Sequence, residues 1–313
     1  MKKTLVKVLA CLVVILFMTG CIGVKDEKKD SGLKIEDLSI DLPDTEREFK
    51  IIFIADTHIS LCDERDGGIA DFVSQRYELF RDETGRGADE TFKELIAYVI
   101  EEDPDLLILG GDILDTATLK GVEFVGQELS KISCPYIYSL GNHDFTYEEE
   151  YYTPKAFSEY LPRIEEIVTT RDGYQIYDAG IMYILALDDY NNRYSEGSLE
   201  ALKEVEDKGK PVLVITHVPI EPETGDRSLL NDTIEMWGIS ESGGSRVLLG
   251  PTSQTSDENT REIIAELLSD NSPVVHVLAG HIHLKHSDSL NGKINQTVTG
   301  AGFMGEAVRL LIK

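Results

Sequence analysis

The 313-residue chain is poor in cysteine, tryptophan and positive charge, and each scarcity excludes something. It holds four cysteines, and two of them, Cys11 and Cys21, lie in or beside the apolar N-terminal stretch. The remaining pair, Cys62 and Cys134, is too small for a disulfide framework and lacks the spacing of a thiolate metal site. Lysine and arginine number 30 against 57 aspartates and glutamates, for a formal net charge of −27. So acidic a surface repels phosphate backbones, which are gripped by Lys and Arg, and this argues against nucleic-acid substrates. It argues equally against docking on anionic headgroups, and it suits a protein that concentrates divalent cations. The apolar run over residues 8–18 is too short for a comfortable transmembrane helix. No internal repeat is present.

That run follows Lys2, Lys3 and Lys7 and leads into Thr19-Gly20-Cys21. A basic start, a short apolar middle and a small-residue end describe a secretory signal. Met18-Thr19-Gly20-Cys21 resembles the bacterial lipobox, in which the cysteine becomes the lipid-bearing first residue of the mature protein. The resemblance implies a signal peptide over 1–20, a lipid anchor on Cys21, and an extracytoplasmic protein held at the cell membrane. Residues 21–46 are rich in Lys, Asp, Glu and Ser, which predicts a flexible linker. Residues 47–313 are left for the folded domain.

Within that domain, residues 49–55 (FKIIFIA) read as a buried strand. Residues 88–102 place Phe92, Leu95, Ile96 and Val99 at helical spacing, with Asp89 as the expected N-cap and Pro104 closing the helix. Further buried strands are expected at 106–109, 136–140, 212–215 and 274–278, with others at 174–177, 182–187, 294–298 and 308–312. Helices are expected at 119–132, 154–168, 199–208 and 262–268. Residues 59–87 and 221–256 read as loops, the second holding the single tryptophan, Trp237. Strand–helix alternation at this spacing predicts an α/β fold with helices on both faces.

Polar groups gather where these strands end. The first runs into Asp56-Thr57-His58, and the second into Gly111-Asp112 with Asp115 three residues on. The third runs into Gly141-Asn142-His143-Asp144, and two later ones into Thr216-His217 and Gly280-His281-Ile282-His283. In an α/β sheet the loops at the carboxyl ends of strands meet on one edge, where sites form. Alternate residues of an extended segment face the same side, so Asp56 and His58 can address one ion. Gly141 suits a sharp turn with no Cβ in the way. Imidazole, carboxylate and amide oxygen without thiolate suit Mn, Fe or Zn. Seven such donors exceed what one tetrahedral ion takes, so two ions sharing a carboxylate fit better.

In this order, the five motifs resemble those of the calcineurin-like metallophosphoesterases, from about Lys50 to the C-terminus. The resemblance implies an αββα sandwich of two mixed β-sheets flanked by helices, with a dimetal site at the strand C-terminal edge. It places Asp56, His58 and His283 on one divalent ion, Asp112 as the bridge, and Asn142, His217 and His281 on the second. It makes His143 the catalytic imidazole that ligates nothing, oriented by Asp144. The reaction implied is hydrolysis of a small phosphate monoester or diester, by in-line attack of a hydroxide bridging the metals, with His143 protonating the leaving oxygen. The anchor alone suggests a narrower phosphodiesterase for lipid or envelope precursors. A surface binding protein that keeps fold and metals without turnover is a third reading, opposed by the presence of His143.

Outside the motifs the readings stay divided. His276 inside a strand and His286 after the last motif read as structural, and Asp115 as support for the Asp112 loop. Arg65, Arg76, Arg81 and Arg86 offer either a fork for phosphate or partners for surface carboxylates. Tyr147, Tyr151, Tyr152 and Trp237 either stack on an aromatic leaving group or pack.

Overall fold

Two sheets lie face to face because their central strands are apolar on both sides. The computed structural model describes residues 32–43, 45, 47–145, 154–240, 247–250, 253 and 255–313, with only the backbone at 154–157. Its first sheet comprises β1 (Lys34–Ile40), β2 (Phe49–Ile54), β3 (Leu106–Gly110), β4 (Tyr136–Ser139) and β11 (Glu306–Ile312). Their spatial order is β1-β11-β2-β3-β4, with the β11–β2 pair antiparallel and the others parallel. The second sheet comprises β5 (Tyr174–Asp178), β6 (Tyr183–Leu187), β7 (Val212–Ile215), β8 (Val274–Ala279), β9 (His286–Ser289) and β10 (Asn295–Val298). Its order is β5-β6-β7-β8-β10-β9, parallel through the middle and antiparallel at both outer pairs.

The period of two in β2 shows how the layers form. Phe49, Ile51 and Phe53 enter the space between the sheets, where they join Ile184, Ala186, Leu213, Ile215 and Leu278 of the second sheet. Ile52 and Ile54 face the other way, into a core shared with Phe92, Leu95 and Ile96. Those three belong to α2 (Ala88–Glu102), which lies on the outer face of the first sheet beside α3 (Leu119–Leu129) and α4 (Pro154–Ile164). On the outer face of the second sheet, α5 (Ser198–Asp207) and α7 (Glu258–Leu267) cover Val212, Val214 and Leu185. Fully burying one such side chain contributes about 1.5–3 kcal/mol. The result is the expected αββα sandwich of two mixed sheets.

Three stretches depart from the sequence-based expectation. Residues 21–46 are not linker throughout, because Lys34–Ile40 pairs in parallel with Glu306–Ile312 along its whole length. Leu38 and Ile40 pack against the inter-sheet core and Ile35 against the helix-covered one. The span read as the loop 59–87 contains α1 (Ala70–Leu79), and that over 221–256 contains α6 (Ser228–Trp237). The N-cap of α2 is Gly87 rather than Asp89, and its backbone N–H donates to the Glu90 carboxylate at 3.2 Å. Among the described residues no helix is long and apolar enough to cross a membrane.

Candidate metal centre

Each polar strand end is fastened to its neighbour before any ligand is considered. The Asp56 and His58 N–H groups donate to Gly111 and Asp112 carbonyls at 3.0 and 2.9 Å, so the loops after β2 and β3 run side by side. Gly141 lies so close to Asp112 that a Cβ built on it would sit 2.3 Å from Asp112 Oδ1, which is why glycine stands there. Gly111 adopts φ +91°, and a Cβ on it would meet the His217 ring at 2.5 Å. Five of the expected ligands, Asp56, His58, Asp112, His281 and His283, themselves hold left-handed backbone, at φ 56°, 48°, 52°, 73° and 59°. Asp56 and His58 therefore converge through a coiled loop and not through the alternation of an extended strand. Thr57 between them turns away to donate to the Ile113 carbonyl at 2.7 Å.

Donor atoms within 4.8 Å of one another form two triads, Asp56, His58 and His283, and Asp112, His217 and His281, with a third group, His58, Asp112 and His143, linking them. In the first, His58 Nε2 and His283 Nε2 face each other at 2.9 Å, with Asp56 Oδ1 3.5 Å from His283 Nε2. Asp112 Oδ2 joins the triads, 3.9 Å from His58 Nε2 and 3.1 Å from His217 Nε2. Asn142 lines the same cleft. The seven expected ligands are thus gathered at one place.

The buried donors fit divalent ions. Both ring nitrogens of His281 are enclosed with no hydrogen-bond partner among the described residues, while Asp112 Oδ2 and His217 Nε2 face each other at 3.1 Å. Leaving such groups unmatched costs about 1–3 kcal/mol each. A cation between them removes that cost. His58 Nδ1 lies 3.2 Å from Asp115 Oδ1 and His217 Nδ1 lies 2.9 Å from the Gly110 carbonyl. Each outer N–H has an acceptor, which leaves Nε2 as the lone-pair nitrogen aimed inward. Burial pulls His58 down to about 4 and His281 to about 3, so both imidazoles are neutral as ligation requires. His217 behaves differently: burial lowers it, but Asp112 and Asp56 override that and hold it up at about 10. A proton there occupies the place of a cation. The free thiols of Cys62 and Cys134 belong to neither triad, so the set is purely nitrogen and oxygen.

His143 sits beside the triads, its backbone N–H donating to Asp112 Oδ1 at 2.6 Å. Burial lowers its pKa, but the carboxylates of Asp112 and Asp115 more than reverse this. The role expected for Asp144 needs correction. Its carboxylate accepts from the backbone N–H groups of Asp112, Leu114 and Gly141 at 3.1, 2.9 and 2.8 Å and from the Tyr138 hydroxyl at 2.7 Å. It ties the loops together from below. The carboxylate that meets the His143 ring is Asp115, 3.0 Å from Nδ1. Asp115 is clamped in turn by Arg76, at 2.6 Å from Nε and 2.7 Å from Nη2.

Arg76 is therefore tied to a buried carboxylate beside the triads, whereas Arg65, Arg81 and Arg86 pair with acids away from them. Phe80 was not anticipated: its ring stacks on His58 at 4.0 Å and 9°. Asp188 and Asp189, at the end of β6, also escaped notice. Asp188 accepts from the Leu140 N–H at 2.9 Å, and Asp189 from the Val218 N–H at 2.8 Å. One pair thus braces the loops carrying Asn142 and His217. The carboxylates at the end of β6 were visible as another polar strand end, though no motif marked them. His276 bonds Thr297 at 3.0 Å and His286 bonds Asp232 at 3.1 Å, both away from the triads. Tyr147, Tyr151 and Tyr152 lie outside the described residues.

The calcineurin-like phosphoesterase family model matches residues 49–285. The chain belongs to that family. It is a metal-dependent hydrolase of phosphoric esters that uses two divalent metal ions. No curated protein sequence matches it. Among solved structures it is similar to a dimetal phosphatase from Danio rerio, at 15% identity and TM-score 0.49, covering 82% of this chain and 88% of that one. It is also similar to a purple acid phosphatase from yellow lupin (Lupinus luteus) seeds, at 12% identity and TM-score 0.47, covering 85% and 46% respectively.

Proposed function

We propose that this phosphoesterase hydrolyses a small phosphate monoester or diester outside the cytoplasm, tethered to the membrane through a lipid on Cys21. The observation that carries the chemical part is the pair of triads meeting at Asp112 with His143 alongside. Two divalent ions, when bound, lower the pKa of water and screen charge developing at phosphorus. Asp56, His58 and His283 would hold one ion, and Asn142, His217 and His281 the other, with Asp112 between.

The chain's own residues supply the remainder. His143 lines the cleft, and with its Nδ1 proton directed to Asp115 it presents Nε2–H as a donor to the leaving oxygen. Asp115 fixes that ring and Arg76 fixes Asp115. Arg193 lines the same cleft, its Nε donating to the Thr255 carbonyl at 3.1 Å, and adds positive charge to the wall. A second cavity, of about 870 Å³, shares Asn191 and Arg193 with the first, which supports room for the second arm of a diester.

The test is His143→Ala loaded with Mn²⁺ and offered chromogenic mono- and diesters. Bound metal should persist while turnover drops about 10²-fold or more. Unchanged turnover would remove His143 from the mechanism. The tether rests on Lys2, Lys3 and Lys7, the apolar run and Met18-Thr19-Gly20-Cys21. Cys21→Ala expressed from the full chain should move the protein out of the membrane fraction, and a variant that stays there would end the lipid-anchor reading.

A further inference from the structure

Trp237 is the chain's single tryptophan, and it lines the cleft of the metal centre from the edge of a small hydrophobic core. Its ring lies 5.7 Å from that of His281 and 6.2 Å from that of His283, inclined at 65° and 60°. These two histidines belong to different triads, so the indole reaches across the pair. Its Nε1–H is already used, donating to the Ile282 carbonyl at 3.1 Å. What the half-buried side chain offers the cleft is therefore aromatic carbon surface with no hydrogen-bond donor left to give.

The platform is braced at both ends. Trp237 is the last residue of α6, whose Leu229 and Leu230 pack with Ile282, Val298 and Leu248 in a small core of their own. The far end of the helix is pinned by His286 of β9, whose Nδ1 lies 3.1 Å from Asp232 and whose Nε2 lies 3.3 Å from Ser228 Oγ. A fixed aromatic surface binds a second ring with little loss of side-chain freedom. The cleft it lines has a volume of about 610 Å³, within the range of cavities that enclose drug-sized ligands and more than a phosphate group needs.

Resting on the phosphoesterase reading of this site, we infer that Trp237 determines specificity by stacking on the leaving group. The preferred substrates are then phosphate esters whose leaving group carries a flat aromatic or heterocyclic ring close to the ester oxygen. A packing role for the indole predicts no such preference.

Phenylphosphonate and cyclohexylphosphonate separate the two accounts, because they share size and anionic group and differ in flatness, and neither is hydrolysed. On the Mn²⁺-loaded protein, phenylphosphonate should inhibit ester hydrolysis with a Ki about fivefold lower than cyclohexylphosphonate. The ratio should survive in Trp237→Phe and fall to about one in Trp237→Leu. The lone indole also reports binding directly: phenylphosphonate should change its fluorescence, with the half-maximal change at a concentration that matches its Ki. Equal Ki values for the two phosphonates in the unaltered protein would overturn the inference while leaving the phosphoesterase intact. Failure of both phosphonates and of inorganic phosphate to bind the metal-loaded protein would instead overturn the phosphoesterase reading, and the inference with it.

Discussion

Asp115 is buried among donors: its Oδ1 faces His58 Nδ1 at 3.2 Å, His143 Nδ1 at 3.0 Å and Arg76 Nη2 at 2.7 Å. One oxygen thus orients a metal ligand and the proton donor together. Asp115→Asn keeps the shape but loses the charge, so it should cut turnover about 10–100-fold, the usual cost of removing a partner behind a ligand. Arg76 loses its charged partner in the same change, so a lower melting temperature should accompany the loss of turnover. Asp144→Ala should damage stability first, since it strands three backbone N–H groups and a buried hydroxyl, at about 1–3 kcal/mol for each group left unmatched. Thermal melts and steady-state kinetics on the two variants check this, and an Asp144→Ala protein with unchanged stability would contradict it. The family resemblance implies Asp144 as the partner of His143. The two lie in one tight turn, His143–Phe145, where successive side chains project about 120° apart. Neighbours in sequence therefore point to different places. The left-handed backbone at five ligands was equally invisible. Nothing in the letters Asp56-Thr57-His58 announces it, and it stores of order 1–3 kcal/mol per residue that the surrounding contacts must hold.

At the scale of elements, what could be read depended on burial. β2, β3, β7 and β8 are apolar on both faces and were legible as continuous hydrophobic runs. β1 was not, because KIEDLSI is an edge strand with one polar side, and its charges look like linker composition. Its pairing with β11 is nevertheless complete. α1 escaped for a related reason. Only Val73 of its ten residues is buried, so its helical period is faint, although it supplies Arg76 and leads into Phe80. α6 does bury Leu229, Leu230 and Thr233, but the glycines and serines after it hid the pattern, and with it the position of Trp237. The five strand-end motifs were legible throughout because they are short, local and fixed to strand termini. The parts that surround them came from elements with weak periodicity. That division explains why the positions of the strand-end donors could be read directly and the walls of their cleft could not.

For the whole molecule, the buried charges predict how stability depends on pH and on metal. Burial pushes Asp144 and Asp188 up to about 7 and Asp189 to about 6. The unfolded chain releases these protons near the ordinary 3.8, so their contribution to metal-free stability is lost as pH rises toward 7. Burial also pulls His58 and His276 down to about 4 and His281 to about 3. There the unfolded chain binds protons that the fold refuses, so stability grows as pH approaches 6.5. The two sets oppose each other through the mildly acidic range. Above pH 6.5 the unfolded histidines are neutral and one sign remains. His217, held at about 10 by Asp112 against its own burial, keeps a proton that the unfolded chain has released. Metal-free stability should therefore fall as pH rises from about 6.5 to 9, by about 1.4 kcal/mol per pH unit for one such group, or roughly 2–3 °C in melting temperature. Divalent ions displace that proton, and alkaline pH favours the exchange. Melting curves in EDTA and in Mn²⁺ should accordingly separate further with each step in pH, with the loaded protein higher throughout. An EDTA curve that is flat or rising across this interval would show that His217 is not held protonated by Asp112, and would remove the electrostatic link between the empty-handed ligands and the fold.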